Sequence, residues 1–214
     1  MELIFEKINK KYKIKIVKVS KKPEDLFESI INDLNKDEIQ IYRSIKNSKR
    51  KIEWLTARIL LKQMIGKYSE IKYDQKRNPY TDDDFHISIT HSQNIVGIII
   101  SKDPNVGIDS EIISNRILRT AHKFISEDEL KQFNQAEKLK KIYLNWCGKE
   151  TLFKIKGGGG IDFIKNLKIN IPKVQTSGMI SGIYKKSSVI EEYKISYSFI
   201  KLKDRELLLT WHSS

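Results

Sequence analysis

The sequence predicts an α+β fold made of two similar halves. Three observations carry this: strand-like alternation at both ends of the chain, two long helical stretches each closed by glycine, and the order helix-then-hairpin occurring twice. A chain of 214 residues is long enough to bury a real core as one large domain or two small ones.

In chain order, residues 1–20 alternate apolar and polar, with Tyr12, Ile14, Ile16, Val17 and Val19 reading as strand. From Pro23 to about Gly66 the pattern is helical. Leu26, Ile30, Ile31 and Leu34 form one apolar stripe, Trp54, Leu55, Ile59, Leu60 and Ile65 another, and Gly66 is a helix stop. Asn78-Pro79-Tyr80 marks a turn. Phe85, Ile87 and Ile89 alternate, the chain turns around Ser92-Gln93-Asn94, and residues 95–101 return as a β-branched strand, which is a hairpin signature. After Asp103-Pro104-Asn105 comes the short strand Val106-Gly107-Ile108-Asp109. A second helical stretch runs over residues 126–156, opened by Ser126 as cap with Glu129 at the third helical position and closed by glycines 157–160. Residues 193–201 and 206–211 are two closing strands around Lys203-Asp204.

The halves share spacing as well as order. Glu38 precedes Trp54 by 16 residues and Glu129 precedes Trp146 by 17, and Trp54, Arg58, Lys62 repeat the spacing of Trp146, Glu150, Lys154. This reads as an internal duplication with halves at residues 1–104 and 105–214, and a ligand cleft between them is the expectation that follows.

Lys and Arg total 40 against 27 Asp and Glu, a formal charge of +13. Such a balance suits nucleic acid, an anionic membrane, a phosphorylated ligand or an acidic protein, and also a lysine-rich background with no partner. The single cysteine, Cys147, excludes a disulfide framework and a Cys-rich zinc site, and reads as a packing residue. The first residues lack a basic segment followed by an apolar core, and the apolar run 95–100 is far shorter than the ~20 residues of a membrane span. A soluble cytoplasmic protein is expected.

Three constellations carry chemistry. In extended chain Asp109 and Glu111 point to one side, and two carboxylates there call for a cation such as Mg²⁺, unless they form a solvated acidic turn. On a helix Trp146, Glu150 and Lys154 share a face, and the bulky Trp makes that face partly buried, so Glu150 needs a metal or basic partner. Ser88-Ile89-Thr90-His91-Ser92 at the first hairpin turn offers hydroxyls, an imidazole and turn amides to a phosphate, or is simply a polar loop. The four glycines are not a phosphate-binding loop, because no Gly-Lys-Ser/Thr follows and they end a helix instead of opening one.

Taken in order, Ser88-Ile89-Thr90-His91-Ser92, Val106-Gly107-Ile108-Asp109-Ser110-Glu111, Phe124-Ile125-Ser126-Glu127-Asp128-Glu129 and Trp146-Cys147-Gly148-Lys149-Glu150-Thr151-Leu152-Phe153-Lys154 resemble the signature of the 4′-phosphopantetheinyl transferases of the Sfp type. The stretch from Arg50 to Arg58 is similar to that family's basic helix, so the resemblance covers about residues 50–160. It implies a monomer folded as a pseudo-dimer of two α+β halves. It implies transfer of the phosphopantetheine arm of coenzyme A to a serine of an apo acyl or peptidyl carrier protein, with release of 3′,5′-ADP. Asp109, Glu111 and Glu150 would hold Mg²⁺. Glu150 would be the catalytic base and Lys154 a catalytic contact to the pyrophosphate. Thr90 and His91 would contact phosphate, and Arg58 and Arg50 the nucleotide end with its 3′-phosphate. Pro79 keeps the turn near the adenine, where the family's Gly-Lys-Pro is Arg77-Asn78-Pro79, so Arg77 or Lys76 would replace the lysine. The family's Lys-Glu-Ala is Lys149-Glu150-Thr151, and its Gly-Lys-Gly is four glycines. Residues 112–124, with Arg116, Arg119, His122, Lys123 and Phe124, would dock an acidic carrier. The resemblance implies neither nucleic acid nor membrane as partner. The rival readings are a basic nucleic-acid-binding module and a catalytically silent carrier-binding protein.

Overall fold

The computed structural model describes residues 1–131 and 133–214. The chain forms two compact units, Met1–Pro104 and Asn105–Ser214, and both are mixed α+β with antiparallel sheets.

The N-terminal unit opens with β1 (Glu2–Ile8) and β2 (Tyr12–Lys18), a hairpin where the alternation alone suggests one strand. Asn9 makes the difference: its side-chain oxygen accepts the amides of Lys11 and Tyr12, both at 2.8 Å, and closes a turn. The helical stretch that follows is three helices, α1 (Pro23–Glu28), α2 (Lys36–Ser44) and α3 (Ser48–Ile65). Asparagines divide it, Asn35 capping α2 through the Glu38 amide at 2.9 Å and Asn47 capping α3 through the Arg50 amide at 3.0 Å. Gly66 ends α3 at a φ of +80°, as a left-handed cap. After the small ribbon β3 (Lys72–Tyr73) and β4 (Pro79–Tyr80), the expected hairpin appears as β5 (His86–Ser92) and β6 (Ile95–Ser101). The main sheet runs β1-β2-β6-β5. Its core is Leu55, Leu60 and Leu61 of α3 against Val96, Ile98 and Ile100 of β6.

The C-terminal unit begins with β7 (Gly107–Ile112) and two short 3-10 turns at Asn115–Arg119 and Ala121–Lys123. The predicted long helix is divided into α4 (Glu127–Lys131) and α5 (Lys138–Ile155). Asn134 forms the intervening turn by accepting the Glu137 amide at 2.9 Å. Four strands follow: β8 (Leu167–Asn170), β9 (Ser177–Lys186), β10 (Val189–Lys201) and β11 (Glu206–His212), in the sheet β7-β11-β10-β9-β8. The sequence reading finds the last two and misses β8 and β9. β8 has only four residues, and Gly178, Ser181 and Gly182 dilute the apolar alternation of β9.

Each unit contains the same element order. A strand, a long helix and a hairpin follow one another as β2, α3, β5 and β6 and as β7, α5, β10 and β11, and their strands are ordered β2-β6-β5 and β7-β11-β10 in the sheets. The N-terminal unit adds β1 beyond β2, and the C-terminal unit adds β9 and β8 beyond β10.

The N-terminal core is built around one ion pair. Glu38, the capping-box acid of α2, is fully buried, and its Oε1 accepts from Arg58 Nε at 2.8 Å. Arg58, 2% exposed, also donates to the carbonyls of Ile71 at 2.9 Å and Trp54 at 3.4 Å, and its guanidinium lies 3.4 Å over the Trp54 ring. The Tyr68 hydroxyl lies 2.6 Å from both Glu38 oxygens. Burial and that contact push the phenol up, so it stays a donor. Removing one member of such a pair leaves a buried charge unanswered. Arg58→Ala is therefore expected to lower unfolding free energy by about 3–5 kcal/mol, measured by chemical denaturation.

Candidate active site

The C-terminal site grows from a close crossing of α5 on β7. A Cβ on Gly107 would sit 2.6 Å from the backbone oxygen of Thr151 and 2.9 Å from Ile155 Cγ1, so only glycine allows this approach. The neighbouring polar groups are answered inside the unit. Thr151 and Thr210 hydroxyls are 2.8 Å apart, and Thr210 donates to the Cys147 carbonyl at 3.1 Å.

Pleating puts Asp109 and Glu111 on one side of β7, the first buried and the second half-buried. From α5, Lys154 reaches across and donates to Asp109 Oδ1 and to the Ile108 carbonyl, both at 2.8 Å. Glu150 stands one turn before Lys154 on the same face. Burial, and then the Asp109 charge, push its carboxyl up to about 7; Glu111 adds to this and Lys154 opposes it. The four residues predicted for this half thus act on one another. Trp146, next on the stripe, packs 4.8 Å from Phe124 and 5.6 Å from Phe163, which makes the face partly buried as expected. Cys147 is fully buried, and burial followed by Asp109 and Glu111 pushes its thiol up, so it is a packing residue and not a nucleophile.

Lys149 was missed. It is fully buried, donates to the Phe124 carbonyl at 2.6 Å and lies 3.9 Å from Glu129 Oε2. Burial brings its ammonium down to about 8. Glu129 in turn accepts from Ser126, amide at 3.1 Å and hydroxyl at 3.0 Å, the predicted capping box. The signal was available: Glu129 occupies the place relative to α5 that Glu38 occupies relative to α3. Lys149 holds one end of the proposed docking segment and Tyr143 the other, its hydroxyl accepting the Ser114 amide at 3.0 Å and donating to the Ser114 carbonyl at 3.1 Å. Between these straps Arg116, Arg119, His122 and Lys123 are exposed, with Leu118 at 46%. Phe124 is a correction. It is 3% exposed and belongs to the core, because its ring completes the Trp146 cluster.

In the N-terminal unit the structure brings together Arg50 and His91 and sets Arg58 apart. Arg50 Nη1 lies 3.3 Å and His91 Nδ1 3.4 Å from the carboxylate of Glu53, a residue the sequence reading did not single out. Its i,i+3 spacing from Arg50 was the available sign. Arg58 is corrected from a nucleotide contact to a core residue, since its guanidinium is spent on Glu38 and two carbonyls. The Ser88–Ser92 hydroxyls are also relocated: they lie within strand β5, and the turn is at Gln93, with a φ of +53°. Alternation then separates Thr90, buried opposite Gly97, from exposed His91 on the other face. Pro79 is half-buried on β4, next to Arg77 at a φ of +67°.

Residues 105–207 match the family model of the 4′-phosphopantetheinyl transferase superfamily. The match lies almost wholly within the C-terminal unit, which is similar to that superfamily. The chain is also 26% identical over 161 residues to the 4′-phosphopantetheinyl transferase gsp of Aneurinibacillus migulanus, a match covering 71% of this chain and 68% of that protein. Both matches support a transferase enzyme. Asp109, Glu111, Glu150 and Lys154 all lie within the matched segment; Arg50, Pro79, Thr90 and His91 precede it. No helix among the described residues is long and apolar enough to cross a membrane.

Among the described residues, no three His, Cys, Asp or Glu side chains are gathered as a metal cage. The donor set of Asp109, Glu111 and Glu150 nevertheless fits a hard divalent ion. Burial first, and then Asp109 and Glu111, push the Glu150 carboxyl up, and a cation there would favour its charged form. Mg²⁺ keeps waters and phosphate oxygens as ligands and needs only one or two protein carboxylates.

Glu150 makes stability depend on pH. Its folded value is raised from 4.5 to about 7, so the folded protein holds a proton in that window which the unfolded chain releases. Its contribution is complete below about pH 4.5 and is lost as pH rises through about 7. In chelator-treated protein, stability is expected to fall by about 2–3 kcal/mol between about pH 5 and about pH 8 through this group. Urea denaturation of the unaltered chain and Glu150→Gln checks this: the variant should lack that part of the fall.

Proposed function

We propose that this enzyme is of the Sfp type and transfers 4′-phosphopantetheine from coenzyme A to a serine hydroxyl of an apo acyl or peptidyl carrier protein, releasing 3′,5′-ADP. One observation carries the reading: in the unit that matches the superfamily, a half-buried Glu150 with its carboxyl at about 7 stands one turn from a lysine bound to Asp109. A base works best when its pKa lies near the operating pH, and burial has placed Glu150 there.

The residues divide the work. Glu150 takes the proton from the carrier serine, directly or through one water. The serine oxygen forms its bond to the phosphorus that bears the pantetheine arm, and the bond from that phosphorus to the oxygen of 3′,5′-ADP breaks. Lys154 presents a compact point charge to the pyrophosphate, and Asp109 holds that ammonium in place. Asp109, Glu111 and Glu150 would hold Mg²⁺, which supplies charge neutralisation on the pyrophosphate and on the departing 3′,5′-ADP. In the N-terminal unit, Arg50 and His91 would meet phosphates of the nucleotide and Pro79 would keep the turn near the adenine, whereas Thr90, buried on the other face of β5, is corrected from a phosphate contact to a core residue. The strapped segment around Arg116, Leu118, Arg119 and Lys123 offers basic groups and one apolar knob to an acidic carrier. Coenzyme A and such a carrier account for the sign of the +13 charge, and the cytoplasm is the proposed compartment.

Mass spectrometry of a panel of apo carrier proteins incubated with coenzyme A and Mg²⁺ tests this. A phosphopantetheine mass gain on the carrier serine is expected. Glu150→Gln should lower its rate by about 10²–10⁴-fold, the usual worth of a positioned base, and chelation should abolish it until Mg²⁺ is restored. No gain on any carrier in the presence of Mg²⁺ would overturn the proposal.

A further inference from the structure

Glu53 is the least explained charge in the N-terminal unit. Its side chain is 8% exposed, although it sits in the first turns of α3, where a carboxylate has easy access to water. Two cations and one imidazole surround it: Lys49 Nζ at 3.7 Å, Arg50 Nη1 at 3.3 Å and His91 Nδ1 at 3.4 Å. All three are largely exposed, at 57%, 52% and 44%. Two come from its own helix at i,i+4 and i,i+3 spacing, and the third from β5. A buried carboxylate is tolerated only when partnered, and one negative charge against the two cations Lys49 and Arg50 leaves a net positive charge facing solvent.

We infer that Glu53 is a positioning residue for the nucleotide end of the site: it holds His91 through Nδ1 so that the ring turns its other nitrogen, Nε2, to a phosphate oxygen. This rests on the proposed function, in which His91 meets a phosphate of coenzyme A. The chemistry follows from the two ring nitrogens. A neutral imidazole that donates Nδ1–H to a carboxylate has only a lone pair at Nε2, which repels phosphate. A ring that donates from both nitrogens is an imidazolium, spanning the carboxylate on one side and the anion on the other. Glu53 thus orients the ring and supports its charge, and it gathers Lys49 and Arg50 beside it. The carboxylate itself touches no substrate.

Binding of 3′,5′-ADP to the full chain, followed by calorimetry and by ¹⁵N NMR of labelled histidine, tests the inference. The His91 ring is expected to show both nitrogens protonated in the complex, and Glu53→Gln to lose that signature. Glu53→Gln should weaken 3′,5′-ADP binding about tenfold, as expected for loss of a charge-assisted contact. It should raise the KM for coenzyme A equally and leave kcat at saturating coenzyme A within about twofold. His91→Ala should weaken binding to a similar degree, and the double variant should be no worse than His91→Ala, because the two act through one contact. Additive losses, or unaltered binding in Glu53→Gln, would overturn the positioning role while leaving the proposed function standing. Failure of the unaltered chain to bind 3′,5′-ADP would overturn both. Should Glu53→Gln not fold, the unaltered complex still decides: an unprotonated Nδ1 on His91 sinks the inference.

Discussion

The candidate active site depends on how closely α5 can lie on β7. A helix backbone meets a strand at this distance only where the strand carries no side chain, and Gly107 is that place. From that crossing the rest follows. Thr151 reaches Thr210 on the next strand, Lys154 reaches over the strand edge to Asp109, and Glu150 is carried into a half-buried position beside two other carboxylates. The perturbed carboxyl is thus largely a product of packing, since burial is the main cause of its shift. The same packing sinks Cys147 and removes it from chemistry.

Buried cations organise both units, in two chemical versions of one arrangement. A short helix opens with a capping-box glutamate, and a cation from the following long helix answers it: Arg58 to Glu38 at 2.8 Å, Lys149 to Glu129 at 3.9 Å. Arginine offers a planar fork with several donors, so Arg58 satisfies the carboxylate and two carbonyls and stacks on Trp54. Lysine is one point charge. Lys149 gives its closest contact to the Phe124 carbonyl, and its ammonium is brought down to about 8 by burial. The first version seals a core. The second ties the segment carrying Arg116 and Arg119 to the helix that bears Glu150.

Much of this was legible in the residues. Periodicity located the hairpin of β5 and β6, the short strand bearing Asp109 and Glu111, and the glycine stop after α3. Period-2 geometry put the two carboxylates on one side, and period-3.6 geometry put Trp146, Glu150 and Lys154 on one stripe. Side-chain competition for backbone groups was harder to read. Asn9, Asn35, Asn47 and Asn134 each interrupt a continuous pattern by capping or closing a turn, and hydrophobic period alone does not register them. β9 escaped because glycine and serine interrupt its apolar face. The resemblance puts Arg58 at the nucleotide end; only the fold shows that Glu38, twenty residues away, consumes it.

The sequence by itself determined the α+β class, the repeated order of elements and the identity of the acidic and basic groups, because these depend on local periodicity and residue chemistry. Tertiary structure decided which of those groups are available. Whether a charged side chain serves a ligand or a core is set by partners distant along the chain and by the water left around it. Arg58, Phe124 and Lys149 were therefore assigned by burial, and Glu53 became visible only when His91 was brought to it from another strand.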